Sequence, residues 1–307
     1  MKLIVEPRVS KSREQFMQEN PSNSIALDGY VGGAPRWDLN SKHFNFNHHE
    51  DVNRLMTRCT AEQVLMAIKG GLIDCLSING TPQANIYVND PDQDSTLAAW
   101  MLLNWPRIVK NKNEPAISAL IAIQDKLDTT AGIYPMDLQS ARIKQLNRVF
   151  APYTEARQTG ILKDMSAETM HELIMTMGDR IEQYTQGNAQ EISSDTNYFV
   201  LGGGTGRSLL QEFGSNARTQ LAIDNINAFV SYLYEGDGKY YYSIGKRSPF
   251  VPFPLEAIMR HLNDLEEGNI WWWSDTIGGC RNAWSWFSPQ ELEGVINKFL
   301  QQKSVLY

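Results

Sequence analysis

The sequence predicts an α/β fold, a mainly parallel sheet covered by helices, joined to a smaller α+β C-terminal domain. Three observations predict it. Short apolar runs alternate with helical patterns through the first half, the pattern of a parallel sheet with both faces covered. A polar stretch, QGNAQEISSDTN at 186–197, then interrupts as a linker. Beyond it the chain restarts with closely spaced strand-like runs and two terminal helices. At 307 residues there is enough chain for two cores.

The elements follow in order. SIALD at 24–28 reads as a buried strand ending in an acid, and HFNFNHH at 43–49 alternates as a second strand. CTAEQVLMAIKGG at 59–71 is helical: Thr60 is placed to cap it, Ala61, Val64, Leu65 and Ile68 share a face, and Gly70–Gly71 stop it. ANIYVND at 84–90 is a strand that leads directly into a helix, STLAAWMLLNW. AISALIAIQDKLD at 116–128 is helical and ends in acids, and 154–186 is helical with few breakers, as a connector would be. The second half reads as strands NYFVLG, QLAID, AFVSYLYEG and KYYYSIG, followed by helices FPLEAIMRHLNDLEE and SPQELEGVINKFLQQ. The expected divisions are therefore 1–153, a connector and linker over 154–196, and 197–307.

Composition narrows the function classes. Hydrophobic residues at 42% and charged residues at 21% describe an ordinary globular chain. A net charge of −7 argues against non-specific binding to duplex DNA. It leaves room for a nucleotide or short oligonucleotide if a cation supplies local positive charge. Cys59, Cys75 and Cys280 are far apart with no CxxC pair, so neither a disulfide framework nor a structural zinc site is expected. The start reads as too short and polar for a signal peptide, and no apolar run approaches 18 residues. A cytoplasmic protein with no membrane association is the expectation.

The chemistry concentrates in two windows. Residues 25–50 hold a lone acid, Asp28, at a strand end, and three of the five histidines: His43, His48 and His49. VNDPDQDS at 88–95 places Asp90, Asp92 and Asp94 between a strand and a helix. In parallel sheets ligands sit beyond the carboxyl ends of the strands, which is where these residues fall. Carboxylates with one or two imidazoles suit Mn²⁺ or Mg²⁺ more than zinc. On a strand, adjacent histidines point to opposite faces, so one can bind metal while the other faces substrate. The plain alternatives are a helix cap at Asp94 or Ser95, a solvated histidine pair, and a surface helix carrying Asp125 and Asp128. Asp74 is a weaker candidate.

These motifs resemble the DHH phosphoesterase superfamily, which includes RecJ-type exonucleases, oligoribonucleases, manganese-dependent pyrophosphatases and Myg-type exonucleases. PDQDS resembles its Pro-Asp-x-Asp motif, LDGYVGG its lone Asp followed by glycines, NHHE its name-giving histidine pair, and QDKLD a later acidic motif. GGAPRWDLNSKHFNFNHHE resembles the Myg-type version in particular. KYYYSIGKRSPFVPFPLEAIMRHLNDLE with DTIGGCRNAW resembles the DHH-associated C-terminal domain. Together these stretches span most of residues 24–300. Three features depart from the pattern: Val88 stands where a metal-binding histidine is expected, Asn47 stands for the Asp of Asp-His-His, and the Asp28 and histidine blocks precede PDQDS, a permuted order.

The resemblance implies a hydrolase that cleaves a phosphodiester or phosphoanhydride with one or two Mn²⁺ or Mg²⁺ ions. It implies Asp28 as bridging ligand, with His48, Asp92, Asp94, either Asp125 or Asp128, and Asp90 in place of the missing histidine. His49 would contact the phosphate or protonate the leaving group. In the C-terminal domain it implies substrate contacts from Arg247, Ser248, Gly278, Gly279, Arg281 and Asn282. The implied substrate is a nucleotide or short single-stranded nucleic acid. Val88 and Asn47 also fit a second reading, a catalytically reduced relative that binds a nucleotide or metal as a regulatory module. LGGGTGRSLL at 201–210 lacks the Lys-Ser/Thr of a P-loop and reads as a strand-to-helix turn. WWWS and WSWF are expected to fill a core or a contact between two copies, which accommodates a homodimer.

Overall fold

A computed structural model describes residues 1–110, 115–204, 206–280 and 284–304, apart from the side chains of Glu235, Lys303 and Ser304. The chain divides into two compact units, one built from 1–129 with 139–193, the other from 130–138 with 194–307.

The first unit runs β1 (Lys2–Val5), α1 (Arg13–Glu19), β2 (Ser24–Leu27), β3 (Arg36–Asp38), β4 (His43–Phe46), α2 (Thr60–Lys69), α3 (Leu72–Cys75), β5 (Ser77–Ile78), β6 (Thr81–Pro82), β7 (Asn85–Val88), α4 (Gln93–Leu103), α5 (Trp105–Lys110), α6 (Pro115–Thr129), α7 (Ala141–Gln158) and α8 (Ala167–Thr185). Its main sheet has the order β1-β7-β2-β4-β3. Three pairings put β1, β7, β2 and β4 parallel, and only the edge strand β3 runs antiparallel. Period-2 alternation splits the strand side chains between two cores. Ile25, Leu27, Phe44, Phe46, Ile86 and Val88 pack with the buried faces of α2, α4, α6, α7 and α8. Ala26 and Tyr87 pack on the opposite face with Phe16 of α1, Tyr30 and Val31. The parallel arrangement brings the carboxyl ends of β2, β4 and β7 to one edge of the sheet.

Of segment 154–196, expected as a connector and linker, residues 154–193 are built into this unit. α8 presents Met170, Ile174, Met177 and Ile181 to the main core at helical spacing. The polar run after it lacks regular structure, as expected of a linker.

The second unit contains β8 (Tyr198–Gly204), β9 (Arg207–Glu212), α9 (Ala217–Ile223), β10 (Ala228–Gly236), β11 (Lys239–Lys246), α10 (Leu255–Leu265), β12 (Trp271–Trp273), β13 (Ile277–Cys280) and α11 (Pro289–Ser304). Its sheet order is β12-β13-β11-β10-β9-β8, antiparallel except for β9 against β10. α10 and α11 cover one face through Ile258, Met259, Leu262, Leu292 and Ile296. Two expectations are corrected here. QLAID belongs to helix α9, because Ala217 and Leu221 lie four apart and are both buried. The glycine run at 201–210 joins strand to strand, pairing Gly204 with Arg207 in the β8–β9 hairpin. Among the tryptophans, Trp271 is fully buried and stacks on Tyr242, whereas Trp286 is 65% exposed.

Candidate metal centre

The ends of β2, β4 and β7 in the first sheet each lead into part of the site. β2 ends in Leu27, and Asp28 opens a tight 3-10 turn at φ 52°. That left-handed conformation is uncommon for a non-glycine residue and is tolerated best by Asp and Asn. β4 stops at Phe46, so His48 and His49 lie just past the strand, and their rings sit side by side with centroids 4.2 Å apart. The opposite-face expectation therefore fails, because the strand pleat has already ended. β7 delivers Asp90, then Asp92 and Asp94 at the start of α4. α6 brings Asp128 in from its last turn.

Two sets of ligand-type atoms converge: Asp28, His48 and His49, and His48, Asp94 and Asp128. His48 belongs to both and is completely buried. Its Nε2 lies 2.8 Å from Asp128 Oδ2, 3.4 Å from Asp28 Oδ1 and 3.6 Å from Asp94 Oδ2. His49 Nε2 reaches the same Asp28 oxygen at 2.7 Å. Among the described residues neither His48 ring nitrogen nor Asp128 Oδ2 meets hydrogen-bond geometry, though the 2.8 Å approach of Nε2 to Asp128 Oδ2 is an ion pair when His48 is protonated. A buried imidazole among three carboxylates is held by charge pairing while protonated, and a cation can take the proton's place. Ligands about 2.1 Å from a hard cation at right angles to one another stand about 3 Å apart, and the separations of His48 from its carboxylate neighbours are near that size, within two groups that share only His48. The mixed nitrogen and oxygen donor set fits Mn²⁺, or Mg²⁺ on the oxygens alone.

The charges are strongly shifted. Burial would raise the Asp28 carboxyl, but the His49 and His48 rings overcome it and hold Asp28 well below the usual range. Burial opposes protonation of His48, yet the neighbouring Asp128 and Asp28 carboxylates raise its affinity for the proton well above normal. Asp128 is held at about 2 against its burial by His48 and by Arg54. Asp94 is pushed up to about 8 by burial and by the charges of Asp128 and Asp28. Asp90 rises to about 6 through burial and Asp28, and Asp92 rises well above normal for the same reasons. Crowded carboxylates of this kind retain protons until a cation replaces them.

The remaining expected residues are placed differently. Asp92 caps α4, its Oδ1 accepting from Ser95 N at 2.7 Å, so Asp92 is the cap where Asp94 or Ser95 was weighed. Asp94 instead accepts from Thr60 N at 2.6 Å and Ala61 N at 2.8 Å. Asp125 accepts from Cys59 N at 2.8 Å and from Arg58 Nη1 at 2.9 Å. The start of α2 is thus capped by two distant carboxylates rather than by Thr60, whose hydroxyl donates to Phe46 O. Of the pair on α6, Asp128 joins the cluster and Asp125 serves the helix. Asp90, Asp92 and Asp125 enter no ligand group among the described residues. His43 lies at the other end of β4, with both ring nitrogens occupied by Ser41 and Asn20. Val88 is buried in the main core, and Asn47 makes backbone hydrogen bonds.

In the second unit Gly278 and Gly279 occupy β13, not a loop, and pair with β11 on one side and β12 on the other. A side chain at Gly279 would stand 2.1 Å from Tyr242 O, so strand packing accounts for the glycine. Arg247 and Ser248 follow β11, half-buried. Arg281 and Asn282 lie outside the described residues.

Sequence reading missed several groups around the cluster. Arg54 is buried and donates to Asp128 O at 2.6 Å. Thr60 Oγ1 is 3.4 Å from Asp28 Oδ1. Tyr153 of α7 is driven upward in pKa by burial and by the charge of Asp90. A basic residue five positions after the histidine pair was the only hint of Arg54. Compared with known proteins, the chain matches no family model and no curated sequence. No helix among the described residues is long and apolar enough to cross a membrane.

Proposed function

We propose that this protein is a divalent-metal-dependent phosphoesterase that hydrolyses a phosphodiester or phosphoanhydride of a nucleotide or short single-stranded oligonucleotide. The observation that carries the reading is His48 Nε2, buried, outside hydrogen-bond geometry among the described residues, and within 3.6 Å of carboxylate oxygens from Asp28, Asp94 and Asp128. His48, Asp94 and Asp128 would hold one cation, with Asp28 beside them as ligand to a second, and Mn²⁺ is the best match to these donors. When bound, such a cation polarises a phosphoryl oxygen and lowers the pKa of water.

The chain's own groups supply the rest. Arg54 fixes Asp128 from behind. The Thr60 and Ala61 amide groups at the start of α2 fix Asp94. His49 has a side chain 30% exposed, the most accessible of the convergent groups, so it faces incoming substrate and donates a proton to the leaving oxygen. A negatively charged chain recognises an anionic phosphate here through the cation it carries.

A second reading, a nucleotide- or metal-binding module without turnover, is favoured by one observation: Val88 is committed to the core and Asn47 to the backbone, so neither adds a ligand. Hydrolysis of a chromogenic phosphodiester with Mn²⁺ separates the two. The enzyme reading expects turnover that falls to background in Asp28→Ala and in His49→Ala. Mn²⁺ uptake with no turnover on phosphodiester, pyrophosphate or dinucleotide substrates would move the conclusion to the binding module.

A further inference from the structure

We infer that Asn47 is a positioning residue, not a metal ligand, and that its amide sets the geometry of the metal centre by tying the Asp28 turn to the histidine pair. The inference rests on the metal-centre reading. Asn47 is 1% exposed and uses its whole hydrogen-bonding capacity. Its Oδ1 accepts from His48 N at 2.7 Å and His49 N at 3.0 Å. Its Nδ2 donates to Val31 O at 3.2 Å and Gly33 O at 2.9 Å.

The two halves of that amide do different work. The oxygen gathers two consecutive backbone amides, which turns the chain sharply after β4 and sends both imidazoles toward Asp28 Oδ1. The nitrogen fastens the segment that leaves the strained Asp28 turn, three and five residues downstream. Glu50 adds to the same fastening, accepting from Gly33 N at 2.9 Å. Gly33 itself is in a left-handed conformation at φ 85°, where a side chain is disfavoured.

An aspartate at 47 would keep the acceptor and lose both donors. It would also press a charged oxygen against two carbonyl oxygens about 3 Å away, a repulsive contact. The two roles therefore make opposite predictions for one substitution. If position 47 supplies a ligand, Asn47→Asp adds a carboxylate and tightens the metal. If it is a clamp, the same change loosens the Asp28 turn and weakens the metal.

The test uses the full-length protein and Mn²⁺ alone. Calorimetric titration of Asn47→Asp is expected to show a 10- to 100-fold weaker Mn²⁺ affinity, the range for losing an outer-shell partner. Glu50→Ala, which leaves position 47 intact, is expected to weaken Mn²⁺ several-fold. In parallel, hydrogen exchange of the metal-free protein should quicken over residues 29–34 in both variants. Unchanged or tighter Mn²⁺ binding by Asn47→Asp overturns the inference. Should the wild-type chain take up no Mn²⁺, the metal-centre reading falls, and the clamp is judged on exchange alone: unchanged exchange over 29–34 in Asn47→Asp overturns it too.

Discussion

Asp28 and His48 were both visible in the sequence, because a lone acid and an imidazole at strand ends are easy to see. Asp128 was visible only as one of two choices. Asp125 and Asp128 lie three apart on one helix face, and spacing does not decide which turns inward. Arg58 and the Cys59 amide take Asp125, leaving Asp128 to His48. Arg54 was not legible, since its value comes from a contact 74 residues away in the chain.

The shifted carboxyls give a pH prediction. Asp90 and Asp94 are raised to about 6 and about 8 by burial and neighbouring charge, so the folded metal-free chain binds these protons more tightly than the unfolded chain. Their contribution to stability is present in acid and is lost as pH rises from about 4 through about 8. His48, raised well above normal, acts in the same direction. Asp128, held at about 2, contributes above the unfolded carboxyl range and loses its contribution only in acid. Thermal melting of the metal-free protein should therefore show this site's contribution falling toward pH 8. The rise in melting temperature on adding Mn²⁺ should grow over the same range. Asp94→Asn should flatten both slopes, as measured by calorimetry across pH 5 to 8.

At the scale of elements, α2 was legible as a helix with its stop at Gly70–Gly71, but its start was not. The four free amides of a helix N-terminus can be met by any nearby oxygen, and here Asp94 and Asp125 supply it from 33 to 66 residues away. The helix thereby aims its positive end at the acidic cluster. α7 illustrates a repair. Pro152 lies inside it and cannot donate to the Arg148 carbonyl four residues earlier. Arg180 of α8 donates to that carbonyl at 2.9 Å. Arg180→Ala should cost about 1–3 kcal/mol in denaturant unfolding, and Pro152→Ala in the same chain should recover part of it by restoring the amide donor. In the second unit, Gly279→Ala should cost about 3 kcal/mol, because the added methyl meets Tyr242 O.

For the whole molecule, the parallel sheet with its covered faces was legible from alternating strand and helix patterns, and the second unit from its strand-rich restart. The exact division was not. The chain leaves the first unit at 130, packs Ile133 beside Leu210 and Phe229 in the second, and returns at 139. No composition change marks that excursion, because nine residues with two buried apolar side chains, Ile133 and Leu138, look like any loop. The proposed metal centre draws on 28–128 alone. Hydrogen exchange with and without Mn²⁺ should then show protection over 24–33, 43–50, 58–62, 88–96 and 124–129, with the six-stranded sheet of the second unit unchanged. Protection confined to the second unit would displace the centre from this account.

Equilibrium Mn²⁺ binding followed by electron paramagnetic resonance at pH 8, on the wild-type chain and on His48→Ala, decides whether these residues form a metal centre. A metal centre at His48 gives saturable binding of one or two ions per chain, weakened at least about 100-fold when His48 is removed. Absence of saturable binding at millimolar Mn²⁺, or binding that His48→Ala leaves unchanged, would contradict it.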